Sequence, residues 1–455
     1  MPKQKMLWNE TDEDEHEFDG ISSIVRDVFD NYKALANDIP IIEHSTQVSY
    51  DSPVNFKASM SSPRHRWFAY KEGFSPSFVR GFLNFHKIPE KCTVLDPFGG
   101  VGTTVLETGM RGGAGVAMEV SPLAAFIART KATNFSSNDV DLFHSAIESF
   151  AEAPLVSKEK KPANSTVVSY FDPDFLDAIL KVKAFYSSCD NYLISSLIKM
   201  ALLSNIERFS THRKAGNGLK RKTRLSYNKD KPAIEQVRAA ILDLLKTYLE
   251  DINQVPLCGD VEIMNESSLE LDSVLPEKHF DCMLTSPPYA NCFDYSKIYM
   301  CELWLGDYFC SPTDQVIFRA NSVRSHVHAR WEERFDHFGS PVIDNLICPA
   351  LSEQQLWSKY IPGMLQGYFN DLGRMLSGLM SVMKPGAPIG MVVSNSVYGG
   401  IPIATDLLLA DIAKRLGFII ERIEVYRHII PSSQQFNQLS NKQYFRESMV
   451  VFKCP

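Results

Sequence analysis

No apolar run in this chain reaches the roughly eighteen residues that a membrane span requires, and Met1-Pro2-Lys3-Gln4-Lys5 opens no hydrophobic signal segment. The chain therefore reads as cytoplasmic, with no membrane partner. Its nine cysteines form no Cys-x-x-Cys pair, which argues against structural zinc and suits free thiols in a reducing compartment. Internal repeats and nuclease motifs are also missing. An excess of positive charge is absent too, because the net charge is −7. That average does not exclude nucleic acid, since binding follows local charge. Residues 10–19 collect Glu10, Asp12, Glu13, Asp14, Glu15, Glu17 and Asp19 into a solvated acidic segment. Residues 205–225 instead hold Arg208, Arg213, Lys214, Lys220, Arg221, Lys222 and Arg224 against Glu207 alone.

The chain has 455 residues, 44% hydrophobic and 22% charged, which is room for a large catalytic core with insertions. Two motifs organise it. In the first, the strand-like Thr93-Val94-Leu95-Asp96 runs into Pro97-Phe98-Gly99-Gly100-Val101-Gly102-Thr103-Thr104 and then a helix start. Such a glycine-rich turn lets the backbone approach a ligand closely, beside the unpaired N–H groups of the helix. No Gly-Lys-Ser/Thr follows, and Asp96 at the strand end repels phosphate and suits a cationic, methionine-like amine. A second strand, Ala114 to Glu119, ends in an acid about twenty residues past the glycines, where a ribose-binding acid is expected. A nucleoside with a positive charge and no phosphate fits this set, and S-adenosylmethionine is the candidate cofactor.

In the second motif, the apolar Phe280-Asp281-Cys282-Met283-Leu284 ends in Thr285-Ser286-Pro287-Pro288-Tyr289. Pro288 keeps Pro287 out of the α region and has no N–H, so the Pro287 carbonyl is a fixed acceptor. Ser286 adds a second oxygen and Tyr289 a flat face. Two acceptors and a ring match a planar base with an exocyclic NH₂.

Asp-Pro-Phe-x-Gly-x-Gly-Thr-Thr followed by Ser-Pro-Pro-Tyr resembles the S-adenosylmethionine-dependent amino-methyltransferases of DNA, which act on cytosine N4 or adenine N6. The resemblance covers roughly residues 64–132 and 260–455. It implies an α/β fold, a Rossmann-like sheet of seven strands, with a catalytic domain at 64–132 and 258–455. It also implies cofactor contacts from Asp96, Pro97, Phe98, Gly99, Gly100, Gly102, Thr103, Thr104, Glu119 and Val120. Phe74 and Ser75 match the family segment that closes over the methionine end. Glu266, with Ser267 beside it, matches the acid after the third strand, where the family commonly has Asp. Ser286, Pro287, Pro288 and Tyr289 would form the catalytic loop, and Asp294-Tyr295 would line the same pocket.

Around this core, residues 1–63 read as the acidic segment, a helix over Ile21 to Asp38, and a loop. Residues 133–257 read as an inserted helical domain and candidate DNA-recognition region. Its stretch 133–168 is polar, helical spacing follows at 172–208 and 231–252, and a basic loop runs from Thr211 to Arg224. Arg213, Lys214, Lys220, Arg221, Lys222 and Arg224 are the expected contacts to double-stranded DNA. A second basic and aromatic insertion, 311–345, mixes Arg319, Arg324, His326, His328, Arg330 and Arg334 with Phe318 and Trp331, which suits a nucleic-acid surface. His326-x-His328 has no third ligand at metal spacing, so no metal is expected.

The resemblance implies methyl transfer to a flipped base amine, most often cytosine N4 for Ser-Pro-Pro-Tyr. Adenine N6 stays open. So do an RNA guanine-N2 methyltransferase, which usually has Asn before the prolines, and a non-catalytic DNA-binding module. Carbon-5 methylation needs a cysteine nucleophile, and the Pro-Cys dipeptide of those enzymes is absent. Any restriction endonuclease would be a separate chain.

Overall fold

The computed structural model describes residues 23–44, 52–275, 279–328, 338–429 and 442–455. The acidic run at 10–19, Ile21, Arg330, Trp331 and Arg334 lie outside them.

The strands, in chain order, are β1 Ile41–Glu43, β2 Thr93–Asp96, β3 Ala114–Met118, β4 His212–Ala215, β5 Gly218–Arg221 and β6 Val261–Met264. Then come β7 Cys282–Thr285, β8 Pro388–Ser394, β9 Ser396–Tyr398, β10 Ile401–Ile403, β11 Ile419–His428 and β12 Arg446–Lys453. Eight of them make one sheet in the order β1-β11-β12-β8-β7-β2-β3-β6. Only β12 runs against its neighbours; every other pairing in the sheet is parallel. The expected count of seven is therefore one short. The extra strand, β1, is a three-residue edge that pairs in parallel with β11. Ile41-Ile42-Glu43 is too short to show an alternation, and its pairing partner lies far along the chain.

The chain leaves β2 in one direction through β3 to β6, then returns to place β7 on the other side of β2. In open α/β sheets that reversal opens a crevice beyond the carboxyl ends of the two strands. Both motif loops start there. All four residues of β7 are buried, as a strand covered on both faces requires. Met283 packs into the core on one face and Cys282 and Leu284 into the core on the other. The first core is closed by the helix Ile361–Val382, whose Leu365, Phe369, Leu372, Leu376 and Leu379 fall on one stripe. The second is closed by the helix Pro76–Phe85 through Phe78, Val79 and Phe82.

Between the helix Pro122–Lys131, which follows β3, and β6 the chain forms five further helices: Ser137–Glu152, Ser165–Ser169, Pro173–Ser187, Tyr192–Phe209 and Ala233–Gln254. The first falls in the stretch read as polar. Its signals are a capping box between Ser136 and Asp139 and the buried Phe143, Ile147 and Phe150 at helical spacing. These helices share a core with Trp67, Phe68, Tyr299 and Trp304. Asp251, fully buried, accepts from the Arg64 backbone N–H, both the Nε and Nη2 of Arg66, and Trp67 Nε1. That pins the segment before Tyr70 to the longest of the five helices.

The basic stretch read as a loop is a β-hairpin, β4 paired antiparallel with β5. Gly216, at φ 57°, and Asn217 make its two-residue turn. The insertion 311–345 contains a helix, Pro312–Asn321, with a capping box at Ser311 and Asp314. No helix among the described residues is long and apolar enough to cross a membrane.

Candidate functional site

Thr285, the last residue of β7, donates its hydroxyl to Asp96 Oδ1 at 2.6 Å. The two motif loops are thus tied together at the strand ends. Phe98 N–H reaches the same oxygen at 3.2 Å, and the buried Thr104 hydroxyl lies within reach of both Asp96 and the Leu284 carbonyl. Burial pushes the Asp96 carboxyl up to about 6 despite these donors. Glu119, just past β3, accepts Gly100 N–H at 2.8 Å and Ser121 N–H at 2.7 Å. Burial raises it further, to about 7, and the nearby Asp96 adds to the shift.

These residues surround one cavity. Asp96, Pro97, Phe98, Gly99, Gly100 and Thr103 line it from the β2 loop, and Glu119 and Val120 from the β3 end. Phe74, Ser267, Ser286 and Pro288 complete the expected lining. The glycines are needed for space. A Cβ at Gly99 would stand 2.6 Å from that of Ala117, and one at Gly100, where φ is 52°, would stand 3.2 Å from the Tyr70 ring.

Other expected residues lie behind the wall. Ser75 caps the helix Pro76–Phe85 through Phe78 N–H and is fully buried. Gly102 caps the helix Thr103–Met110. Glu266 faces a neighbouring cavity with Asn265 and Glu270, so Ser267, which borders both, is the member of that pair in the main pocket. In the second loop, Pro287 is buried, and Ser286 donates to the Val392 carbonyl at 3.3 Å. Tyr289 gives its hydroxyl to Glu447 at 2.6 Å, and Glu447 is paired with Arg427. Burial, then the Glu447 charge, drives the Tyr289 phenol upward, so it stays a donor.

Asp294 and Tyr295 line the pocket as expected. Burial opposes the Asp294 charge, but Ser296, His326 and Arg319 hold its carboxyl below the usual range. Tyr70, Glu72, Phe318 and His326 were not singled out for the pocket. Tyr70 and Glu72 sit just before the Phe74 segment, close enough in sequence to have been included. Phe318 and His326 arrive from the insertion, and only the fold brings them there. Among the described residues, no lysine or arginine lines this cavity. Its charge and its close glycine cradle fit S-adenosylmethionine and disfavour a phosphate-bearing cofactor.

The expected DNA contacts divide. Arg213, Lys220, Arg221 and Arg224 are exposed. Lys214, by contrast, pairs with the buried Glu302 at 2.5 Å and lies 4.1 Å from the centre of the Tyr299 ring. Lys222 donates to the Glu207 and Arg208 carbonyls at the end of the helix Tyr192–Phe209. The hairpin folds back on that helix, so both ammonium groups are already bonded within the protein. Both nevertheless line a groove together with Lys71, Arg208, Arg213 and Arg224, and with the acids Glu207 and Glu302. In the second insertion, Arg319 is paired with Asp294 and Arg324 with Asp371. His328 N–H donates to Nδ1 of the buried His326 at 3.3 Å. Arg319 and Arg324 are thus turned towards buried carboxylates, while His328 stays exposed.

No protein-family model matches the chain. It is similar to the Type II methyltransferase M.AvaI of a Nostoc species and of Anabaena variabilis, each 28% identical, covering 88% of this chain and 89% of the relative. The Type II methyltransferase M.BsoBI of Geobacillus stearothermophilus is 26% identical over 88% of both. Among solved structures, the rRNA methyltransferase aviRa of Streptomyces viridochromogenes aligns over 83% of each chain at 11% identity. Its TM-score of 0.27 carries no weight for the fold.

Proposed function

We propose that the chain is an S-adenosylmethionine-dependent DNA methyltransferase of a restriction-modification system, modifying the exocyclic amine of a flipped base, cytosine N4. The observation that carries this reading is the Thr285–Asp96 bond, which joins the glycine loop and the Ser-Pro-Pro-Tyr loop around one anionic pocket. Similarity to Type II methyltransferases along nearly the whole chain supports it.

The cofactor supplies a methyl group already activated on a sulfonium, so the chain's task is positioning. Asp96, Glu119 and the glycine loop would bind it. A target base leaves the duplex at a cost of a few kcal/mol and is held by stacking and edge hydrogen bonds. Tyr289 offers the stacking face, fixed by its bond to Glu447. Ser286, which spends its own proton on the Val392 carbonyl, keeps lone pairs for one amine hydrogen. The Pro287 carbonyl accepts the other, turning the amine lone pair out of conjugation. Ser286 is too weak a base to take a proton first, so the extra proton leaves to water after transfer.

Mass spectrometry of nucleosides from DNA and RNA incubated with the protein and S-adenosylmethionine tests the reading. N4-methylcytosine in DNA is expected. N6-methyladenine would keep the mechanism and change the base, and modified RNA alone would overturn the substrate.

A further inference from the structure

Glu72 is a pocket carboxylate to which the reading above gives no part. It lines the cavity and lies between Tyr70 and Phe74 in the chain, both of which line it too. The other carboxylates there are already engaged. Asp96 receives Thr285, Phe98 N–H and Thr104, while Glu119 receives two loop N–H groups, one on each oxygen. Asp294 has Ser296 on one oxygen and Arg319 on the other. Glu72 receives only the Tyr299 hydroxyl from another residue, at 2.6 Å on Oε2, and among the described residues no lysine or arginine forms an ion pair with it. Lys214, the nearby hairpin cation, is held by Glu302.

Glu72 is also held rigidly. Tyr299, its donor, stacks on Tyr70 at 5.4 Å, and Tyr70 stands over Gly100. A poorly solvated carboxylate with cations near it but none in contact favours a ligand ammonium. An amino-acid end provides such a group, with three donors.

We propose that Glu72 accepts the α-ammonium of the cofactor's amino-acid end, beside Asp96, which also holds the two loops together. This rests on the cofactor reading given above. The test is calorimetric titration of wild type and Glu72→Gln with S-adenosylhomocysteine and with 5′-methylthioadenosine, which has the nucleoside and sulfur but no amino acid. Glu72→Gln keeps an acceptor for Tyr299. It is expected to weaken S-adenosylhomocysteine at least tenfold and to leave methylthioadenosine within about twofold. Glu72→Asp, which keeps the charge, is expected to recover part of the difference. Equal losses for both ligands, or no loss for either, would overturn the assignment. A larger loss for S-adenosylmethionine than for S-adenosylhomocysteine would place Glu72 at the sulfonium and also overturn it. If wild type bound neither nucleoside, the cofactor reading itself would fall.

Discussion

In the crevice between β2 and β7 the charged groups among the described lining residues are carboxylates, bonded to backbone N–H, to hydroxyls or, at Asp294, also to Arg319. On the β4–β5 hairpin they are cations, and they separate into two kinds. Arg213, Lys220 and Arg221 stay exposed, whereas Lys214 and Lys222 turn inward to Glu302 and to the end of a helix. A charge near backbone donors in a crevice is placed by its own loop. A charge on a two-stranded ribbon takes whichever role its face and packing partner dictate. The two regions share a wall: the segment from Phe68 to Phe74 borders the basic groove on one side and the pocket on the other.

Asp96→Ala and Tyr289→Ala strike the crevice and carry the largest expected effect. Each is expected to lower methyl transfer by about a hundredfold or more while circular dichroism stays native. Full activity in either would remove the crevice from the chemistry.

Lys214→Met asks whether the hairpin's inner face is structural. It strands the buried Glu302, and breaking a buried pair typically costs about 3–5 kcal/mol. Urea denaturation should show a loss of that order; Lys220→Ala, on the outer face, is expected within about 0.5 kcal/mol of wild type. Equal stabilities would erase the division between the two faces.

The exposed cations are tested by changing Arg213, Lys220 and Arg221 to Ala together. DNA affinity is expected to fall with little change in stability, and the log–log salt slope to flatten by up to about 0.9 per lost phosphate contact. An unchanged slope would make the hairpin plain surface.

The smallest effect concerns pH. Glu119 is raised from 4.5 to about 7 in the fold, so the folded protein binds the extra proton across that window. Its contribution to stability is full below about 4.5 and is lost as pH rises through about 7. Without cofactor, melting temperature should therefore decline more steeply from pH 5 to 7.5 in wild type than in Glu119→Gln. Parallel curves would refute the burial cause.

The glycine loop and the Ser-Pro-Pro-Tyr loop were legible because proline and glycine constrain the backbone by themselves, wherever the rest of the chain goes. The helix Ala233–Gln254 was legible from the helical spacing at 231–252. The helix Ser137–Glu152 was obscured by polar composition, although Phe143, Ile147 and Phe150 carried the spacing. β1 was beyond reach because three residues make no pattern.

The sequence by itself determined the two loops, the acids at the ends of β2 and β3, and an anionic pocket suited to a cationic nucleoside. These follow from local backbone chemistry. Only the tertiary structure decided that Thr285 bonds Asp96, that Glu72 stands in the pocket on a tyrosine stack, and that Lys214 and Lys222 are bonded to Glu302 and to the end of a helix. Each of those outcomes joins groups far apart along the chain, and burial, which composition does not encode, sets whether a charge meets solvent, a ligand or a buried partner.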